Sequence, residues 1–116
     1  MDVFLVEDSA PVRERLSELL GEALIGYAED AASAIRDILE KRPDVVLLDV
    51  SLAVGSGFDV LRAVRAAAPE IDIYMLSNFA AYPYRQLATT LGAKGFFDKT
   101  NEFERVREMV SAHASA

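Results

Sequence analysis

The chain has 116 residues, 52% of them hydrophobic and 27% charged, the balance of one globular domain with a single core and no room for a second. Its net charge is −7, with 19 acidic against 12 basic residues and no cationic run, which argues against nucleic acid as a direct partner. The absence of cysteine excludes disulfides and thiolate metal sites. The longest apolar stretches fall short of a membrane span, and the first ends in Glu7-Asp8, unlike a secretory leader. A cytoplasmic protein without membrane contact is expected.

Short apolar runs alternate with helical patterns along the whole length. Asp2 to Val6 reads as the first strand, followed by Ser9 as a helix cap and Pro11 in the first turn, where a missing N–H costs nothing. Val12, Leu16, Leu19 and Leu20 form a helical stripe that stops at Gly21. Ala23 to Ala28 is a second strand, weakened by Gly26, and Asp30 caps a helix that Pro43 ends. Val45 to Leu48 is apolar throughout, as a central strand covered on both faces must be. A loop from Val50 to Ser56 leads to a helix with Val60, Leu61 and Val64 inward. Strand four runs from Ile71 to Leu76, and Pro83 starts a helix that Gly92 ends. Tyr82 and Tyr84 flank that proline, read as half-buried packing or as an exposed interaction surface. Lys94 to Phe97 is the fifth strand. Asn101 and Glu104 fit a capping box for a last helix with Phe103, Val106 and Val110 inward. The tail from Ser111 to Ala116 is expected to fray, with His113 a solvated bystander. The pattern is that of an α/β doubly wound parallel sheet of five strands and five helices.

In such sheets ligands bind beyond the carboxyl ends of the strands, where strand order reverses. The residues that follow the apolar runs therefore converge on one edge: Glu7 and Asp8, Asp49, Ser77, and Lys99. Two carboxylates about 5 Å apart repel by roughly 3 kcal/mol at an effective dielectric near 20, so a cation is required between them. Hard oxygen donors with room for water suit Mg²⁺, and a carboxylate beside that ion can serve as a nucleophile toward phosphorus. A lysine ammonium and a small hydroxyl supply the charge neutralisation that phosphoryl transfer needs. No histidine or cysteine stands at a strand end, which argues against a triad nucleophile or a zinc centre. An aspartyl-intermediate phosphatase would need a substrate-binding cap, and no insertion here is long enough to build one.

The stretches Phe4-Leu-Val-Glu-Asp-Ser9, Asp44-Val-Val-Leu-Leu-Asp49, Ser56-Gly57, Leu76-Ser77 and Leu91-Gly-Ala-Lys-Gly-Phe-Phe-Asp-Lys99 resemble the receiver domain of bacterial two-component response regulators. The resemblance implies one receiver domain over residues 1–116 with the flavodoxin-like strand order 2-1-3-4-5. It makes Asp49 the phosphoacceptor, with Glu7, Asp8, Asp49 and the backbone carbonyl of Ser51 around Mg²⁺. Ser77 becomes the switch hydroxyl, Lys99 the partner of the phosphoryl group, and Phe96 the aromatic switch residue. The implied partners are a sensor histidine kinase or histidine phosphotransfer protein upstream. Downstream they are a protein target, or a homodimer, through the face of helix four, strand five and helix five. The only catalysis implied is of the domain's own phosphorylation and dephosphorylation. With helix five expected near the end of the 116 residues, no DNA-binding output domain is expected within them. An alternative is a receiver-like interaction module that is no longer phosphorylated.

The chain departs from the family pattern in places. Ala53 stands where proline is usual in the loop after the phosphoacceptor, so a softer loop is expected there. Asn78 and Phe79 follow the switch hydroxyl and narrow access to the phosphate. Phe79 cannot orient an attacking water, and Ser51 offers only a short hydroxyl, so a long-lived phosphorylated state is expected. Thr100 replaces the proline after Lys99, where a cis peptide would cost about 3 kcal/mol.

Overall fold

A computed structural model describes residues 1–78, 82–99 and 103–115, and of residues 82, 83, 103, 114 and 115 the backbone alone. The strands are β1 (Val3–Val6), β2 (Leu24–Ala28), β3 (Val45–Asp49), β4 (Asp72–Ser77) and β5 (Gly95–Asp98). The helices are α1 (Ala10–Leu20), α2 (Ala31–Lys41), α3 (Gly57–Ala67), α4 (Tyr82–Thr90) and α5 (Phe103–Ser115), with a 3₁₀ turn at Gly21–Ala23. All strand pairs are parallel, in the order β2-β1-β3-β4-β5.

Against the single core expected from the length, the buried apolar residues form two clusters, one on each face of the sheet, because both faces of a doubly wound sheet are covered by helices; this explains the fully apolar runs. Val6, Val46, Leu48, Ile73 and Met75 pack with Ile38 of α2 and Leu61 and Val64 of α3. Leu5, Val45, Leu47, Leu76 and Phe97 pack with Leu16 of α1 and Val106 and Met109 of α5. Adjacent strand residues thus enter different cores, as a period of two requires.

Register sets the working edge. Val6 pairs with Leu48, Asp49 with Leu76, and Ser77 with Asp98. The residues just past β1 and β5 therefore stand level with the ends of β3 and β4. The chain leaves β1 toward β2 on one side and returns to β3 on the other, so the crevice between β1 and β3 is the switch point.

Several helix ends form as the sequence implies. Asp30 accepts the N–H of Ser33 at 2.7 Å, which holds its carboxyl below the usual aspartate range. Gly21 closes α1 with φ 55°. Other expectations are corrected. Ser9 is the N-cap residue of α1 but its side chain makes no capping bond; its own N–H donates to Glu7 Oε2 at 3.1 Å, so the buried carboxylate ties down the turn instead. Gly26 does not interrupt β2. The register with β1 skips at Ile25, and the glycine gives space to Phe4, whose ring would lie 3.2 Å from an added Cβ.

The C-terminal tail does not fray at Ser111, since α5 continues to Ser115. His113 is half-buried, and its Nε2 lies 3.1 Å from Asp72 Oδ2 at the start of β4. Its ring meets Tyr74 edge-on at 5.7 Å. A polar tie and an aromatic contact anchor this turn to the sheet, which composition alone could not show. Tyr84 is 41% exposed and stacks on Phe58 at 6.3 Å, so it both packs and presents surface. The expected capping role of Asn101 and the Lys99–Thr100 peptide lie outside the described residues.

Candidate functional site

Four of the five strands, β1, β3, β4 and β5, deliver a polar group to the edge at or just past their ends. Glu7, Asp49, Ser77 and Lys99 are all buried, and they are the only buried polar or charged side chains among the described residues. Asp8 is exposed at the mouth. Ionisable groups are rarely buried without partners, and these partner one another. Lys99 Nζ stands 2.9 Å from Asp49 Oδ2 and forms a second ion pair with Glu7 Oε1. That oxygen has no hydrogen bond of good geometry, so the ammonium is its only compensation among the described residues.

The electrostatics follow from burial. Desolvation raises the Glu7 carboxyl to about 7; Lys99 opposes the shift, while Asp49 adds to it. Burial alone would lower the Lys99 ammonium, but the contacts with Glu7 and Asp49 outweigh it and raise the group above the usual lysine range.

The loops around the pocket are tied down by named bonds. Ser51 N–H donates to Asp49 Oδ1 at 3.3 Å, and Ser51 bridges Ser56 across the β3–α3 loop. Gly57 N–H donates to Val50 O at 2.9 Å. A Cβ on Gly57 would lie 2.0 Å from Asp49 O, so glycine is sterically required there. Val54 O accepts the N–H of Ala31 at the start of α2 at 3.0 Å. The loop is therefore fastened by its backbone, although Ala53 stands in place of proline.

Three site features went unread in the sequence. The Ser56–Asp59 capping box holds the start of α3 and was legible as a Ser-x-x-Asp pattern. Gly57 was visible only as one more loop glycine. Arg13 donates to Glu7 O at 3.1 Å, pairs with Glu29 at 3.0 Å and lies over Tyr27; nothing in its spacing announces this.

The expected residues fall in two groups. Glu7, Asp49 and Lys99 continue the strand alternation of the α1/α5 face, whereas Ser77 and Phe96 continue that of the α2/α3 face. Ser77 O accepts the Lys99 N–H at 2.9 Å, linking the groups through the backbone. Phe96 is half-buried beside Met75, and Asn78 is exposed. Phe79 lies outside the described residues.

Carboxylate oxygens of Glu7, Asp8 and Asp49 all lie within 4.8 Å of one another. Three carboxylates against one ammonium leave an excess of two negative charges when all are ionised. All-oxygen donors, one exposed ligand at the mouth and the hydrogen-bond-poor Glu7 Oε1 fit a small hard divalent ion that keeps water.

A doubly wound parallel sheet with an acidic, lysine-bridged pocket at its switch point defines a class of small α/β domain whose carboxylate cluster could hold a metal ion. Comparison with known proteins narrows the class. Residues 3–111 match the family described as the response regulator receiver domain. Protein CcdB of Bacillus subtilis is 31% identical over 112 residues, covering 94% of this chain and 93% of that protein. The DNA-binding transcriptional activator DevR/DosR of Mycobacterium tuberculosis is 33% identical over 84% of this chain. The chain spans about half of that activator's length (46%), and a similar or smaller share of several other curated regulators it matches. The receiver domain of the response regulator NarL from Mycobacterium tuberculosis superposes with a TM-score of 0.87 at 26% identity, covering 99% of this chain and 96% of that one.

The chain belongs to the receiver domain family of two-component response regulators, whose members are signalling domains. No helix among the described residues is long and apolar enough to cross a membrane.

Proposed function

We propose that this domain, spanning residues 1–116, is a phosphorylation-dependent switch whose phosphoacceptor is Asp49. The observation that carries the reading is the buried Lys99 ammonium bridging Glu7 and Asp49, beside an oxygen cluster otherwise short of positive charge. An Asp49 carboxylate oxygen attacks phosphorus, and the bond to the donor, a phosphohistidine of a sensor kinase or phosphotransfer protein, breaks as the acyl phosphate forms. Glu7, Asp8, Asp49 and the Ser51 carbonyl would hold Mg²⁺, which when bound offsets phosphoryl charge and aligns donor with acceptor. Lys99 neutralises the phosphoryl oxygens, exchanging part of its contact with Asp49 for one with the new group. Ser77 supplies a hydroxyl from the other face of the sheet.

The new charge biases Ser77 and Phe96 toward a second arrangement, which α4, β5 and α5 present to a protein target or a second copy. Catalysis is confined to the domain's own acyl phosphate. Phe79 offers no group to position water, so decay should be slow without a partner phosphatase. A cytoplasmic setting fits such a partner.

Acetyl phosphate with Mg²⁺ should add one alkali-labile phosphoryl group by intact mass, and Asp49→Asn should block it while leaving the fold intact. Equal labelling of Asp49→Asn would move the nucleophile elsewhere. An unlabelled parent would favour an interaction module that no longer turns over phosphate.

A further inference from the structure

Strand β5 carries two adjacent aromatic residues on opposite faces, and each is met by an arginine. Phe97 stacks on Tyr74 at 5.7 Å, and Arg105 of α5 places its Cζ 5.9 Å from the Phe97 ring centroid. On the other face, Arg85 of α4 places its Cζ 5.0 Å from the Phe96 ring centroid. The same guanidinium donates through Nη1 to the backbone oxygen of Phe96 at 3.3 Å.

Arg85 thus grips ring and backbone of one residue together. A contact to the ring alone would follow it through any rotation, and a bond to the backbone alone would be indifferent to the ring. Both hold only while the ring stays beneath the guanidinium. A planar fork with several donors suits this double contact, and a lysine ammonium does not. The grip coexists with direct contact between Lys99 and the free Asp49 carboxylate, three residues beyond Phe96.

We propose that Arg85 is a positioning residue that latches α4 to Phe96 in the arrangement where Lys99 contacts the Asp49 carboxylate directly, and so sets how readily charge added to Asp49 reorganises this face. The proposal rests on the reading of Asp49 as phosphoacceptor. A contact present in only one of two states shifts the equilibrium by its own free energy, and its removal favours the other state. For a partly exposed guanidinium over an aromatic ring, the shift is about two- to fivefold.

The test titrates beryllofluoride, which mimics an acyl phosphate on aspartate, into the full chain with Mg²⁺, following the backbone amides of Gly95 to Asp98 by NMR. Arg85→Ala should lower the half-saturating concentration about two- to fivefold. Arg85→Lys, which keeps the cation but not the fork, should fall between it and the parent. In a Phe96→Leu background, Arg85→Ala should have less than half its effect. A packing role alone would lower stability in all these variants without making the ligand bind more readily. An unchanged or raised half-saturating concentration in Arg85→Ala overturns the latch, as does an undiminished effect in the Phe96→Leu background. A parent that neither responds to beryllofluoride nor labels with acetyl phosphate overturns the phosphoacceptor reading, and the latch with it.

Discussion

Replacing Gly57 by alanine tests how closely the backbone beyond β3 must approach Asp49. The added Cβ would lie 2.0 Å from Asp49 O, 2.9 Å from Asp49 C and 3.1 Å from Val50 Cα. All three are backbone atoms, so no side chain can rotate away. Restoring an ordinary contact needs a displacement of roughly 1.4 Å. That movement stretches the bond from Gly57 N–H to Val50 O, now 2.9 Å, and disturbs the neighbouring Ser56–Asp59 capping box. Overpacking costs about 1–3 kcal/mol, here toward the upper end, and a weakened hydrogen bond adds about 1 kcal/mol. The higher helix propensity of alanine returns about 0.5–1 kcal/mol. The net loss is about 2–3 kcal/mol, which lowers the urea midpoint by about 1–2 M for a domain of this size. Gly21→Ala is the control, because nothing lies within 4 Å of its added Cβ and only the φ of 55° opposes substitution. With ψ −131° that backbone lies outside the left-handed helical region and is nearly glycine-only, so the substitution should cost about 1–3 kcal/mol through strain alone. Equal midpoints for Gly57→Ala and the parent would refute the steric argument.

Other perturbations reach the same site from different directions. Lys99→Met leaves Glu7 and Asp49 buried without their cation; without Mg²⁺ it should destabilise by about 3–5 kcal/mol, and acetyl phosphate labelling should slow about a hundredfold. Labelling at the parent rate would remove Lys99 from the chemistry. Asp8 is exposed, so Asp8→Asn should leave the fold intact. Mg²⁺ at about 100 times its dissociation constant should stabilise the parent by about 2.7 kcal/mol, and the mutant should lose most of that gain in thermal melts. Asp72 is held below the usual aspartate value: burial pushes it up, but His113 and Lys94 outweigh that and pull it down. A depressed carboxylate contributes stability above its unfolded pKa and loses it as pH falls through the folded value. The advantage of the parent over Asp72→Asn in urea should therefore begin to shrink as pH falls below about 3.8 and be gone only below the lower folded value. A gap that persists in acid would show that the contact is not ionic.

The pocket was legible because strand ends are. A run such as Val45 to Leu48 must be buried on both faces, and a charge placed directly after it has nowhere to go but the carboxyl edge. Glu7, Asp49 and Lys99 obey that logic, and parallel register brings them together without further information. Contacts made between helices and strands were not legible. His113 looked like part of an Ala/Ser tail because its partners, Asp72 and Tyr74, are some forty residues away in sequence. Arg13 reads as one more helical surface charge, yet it holds the backbone of Glu7. Periodicity records which face of an element is covered, and these residues lie on borders between faces.

Alternation also explains why the chemistry and its readout can be separate. In β5 the residues Phe97 and Lys99 share one face, and Phe96 takes the other. The ion network of Glu7, Asp49 and Lys99 therefore sits on the α1/α5 side of the sheet. Ser77 and Phe96 look toward the α2/α3 side, where Arg85 of α4 waits on Phe96. A charge added to Asp49 is compensated on one face by Lys99, but Lys99 is also bonded through its N–H to Ser77 O. Any shift of the lysine backbone is thus felt by strand β4 beside it and by the other face of β5. If Asp49 is the phosphoacceptor as proposed, the sheet edge would be at once the reaction site and the route across, with no longer pathway through the cores required.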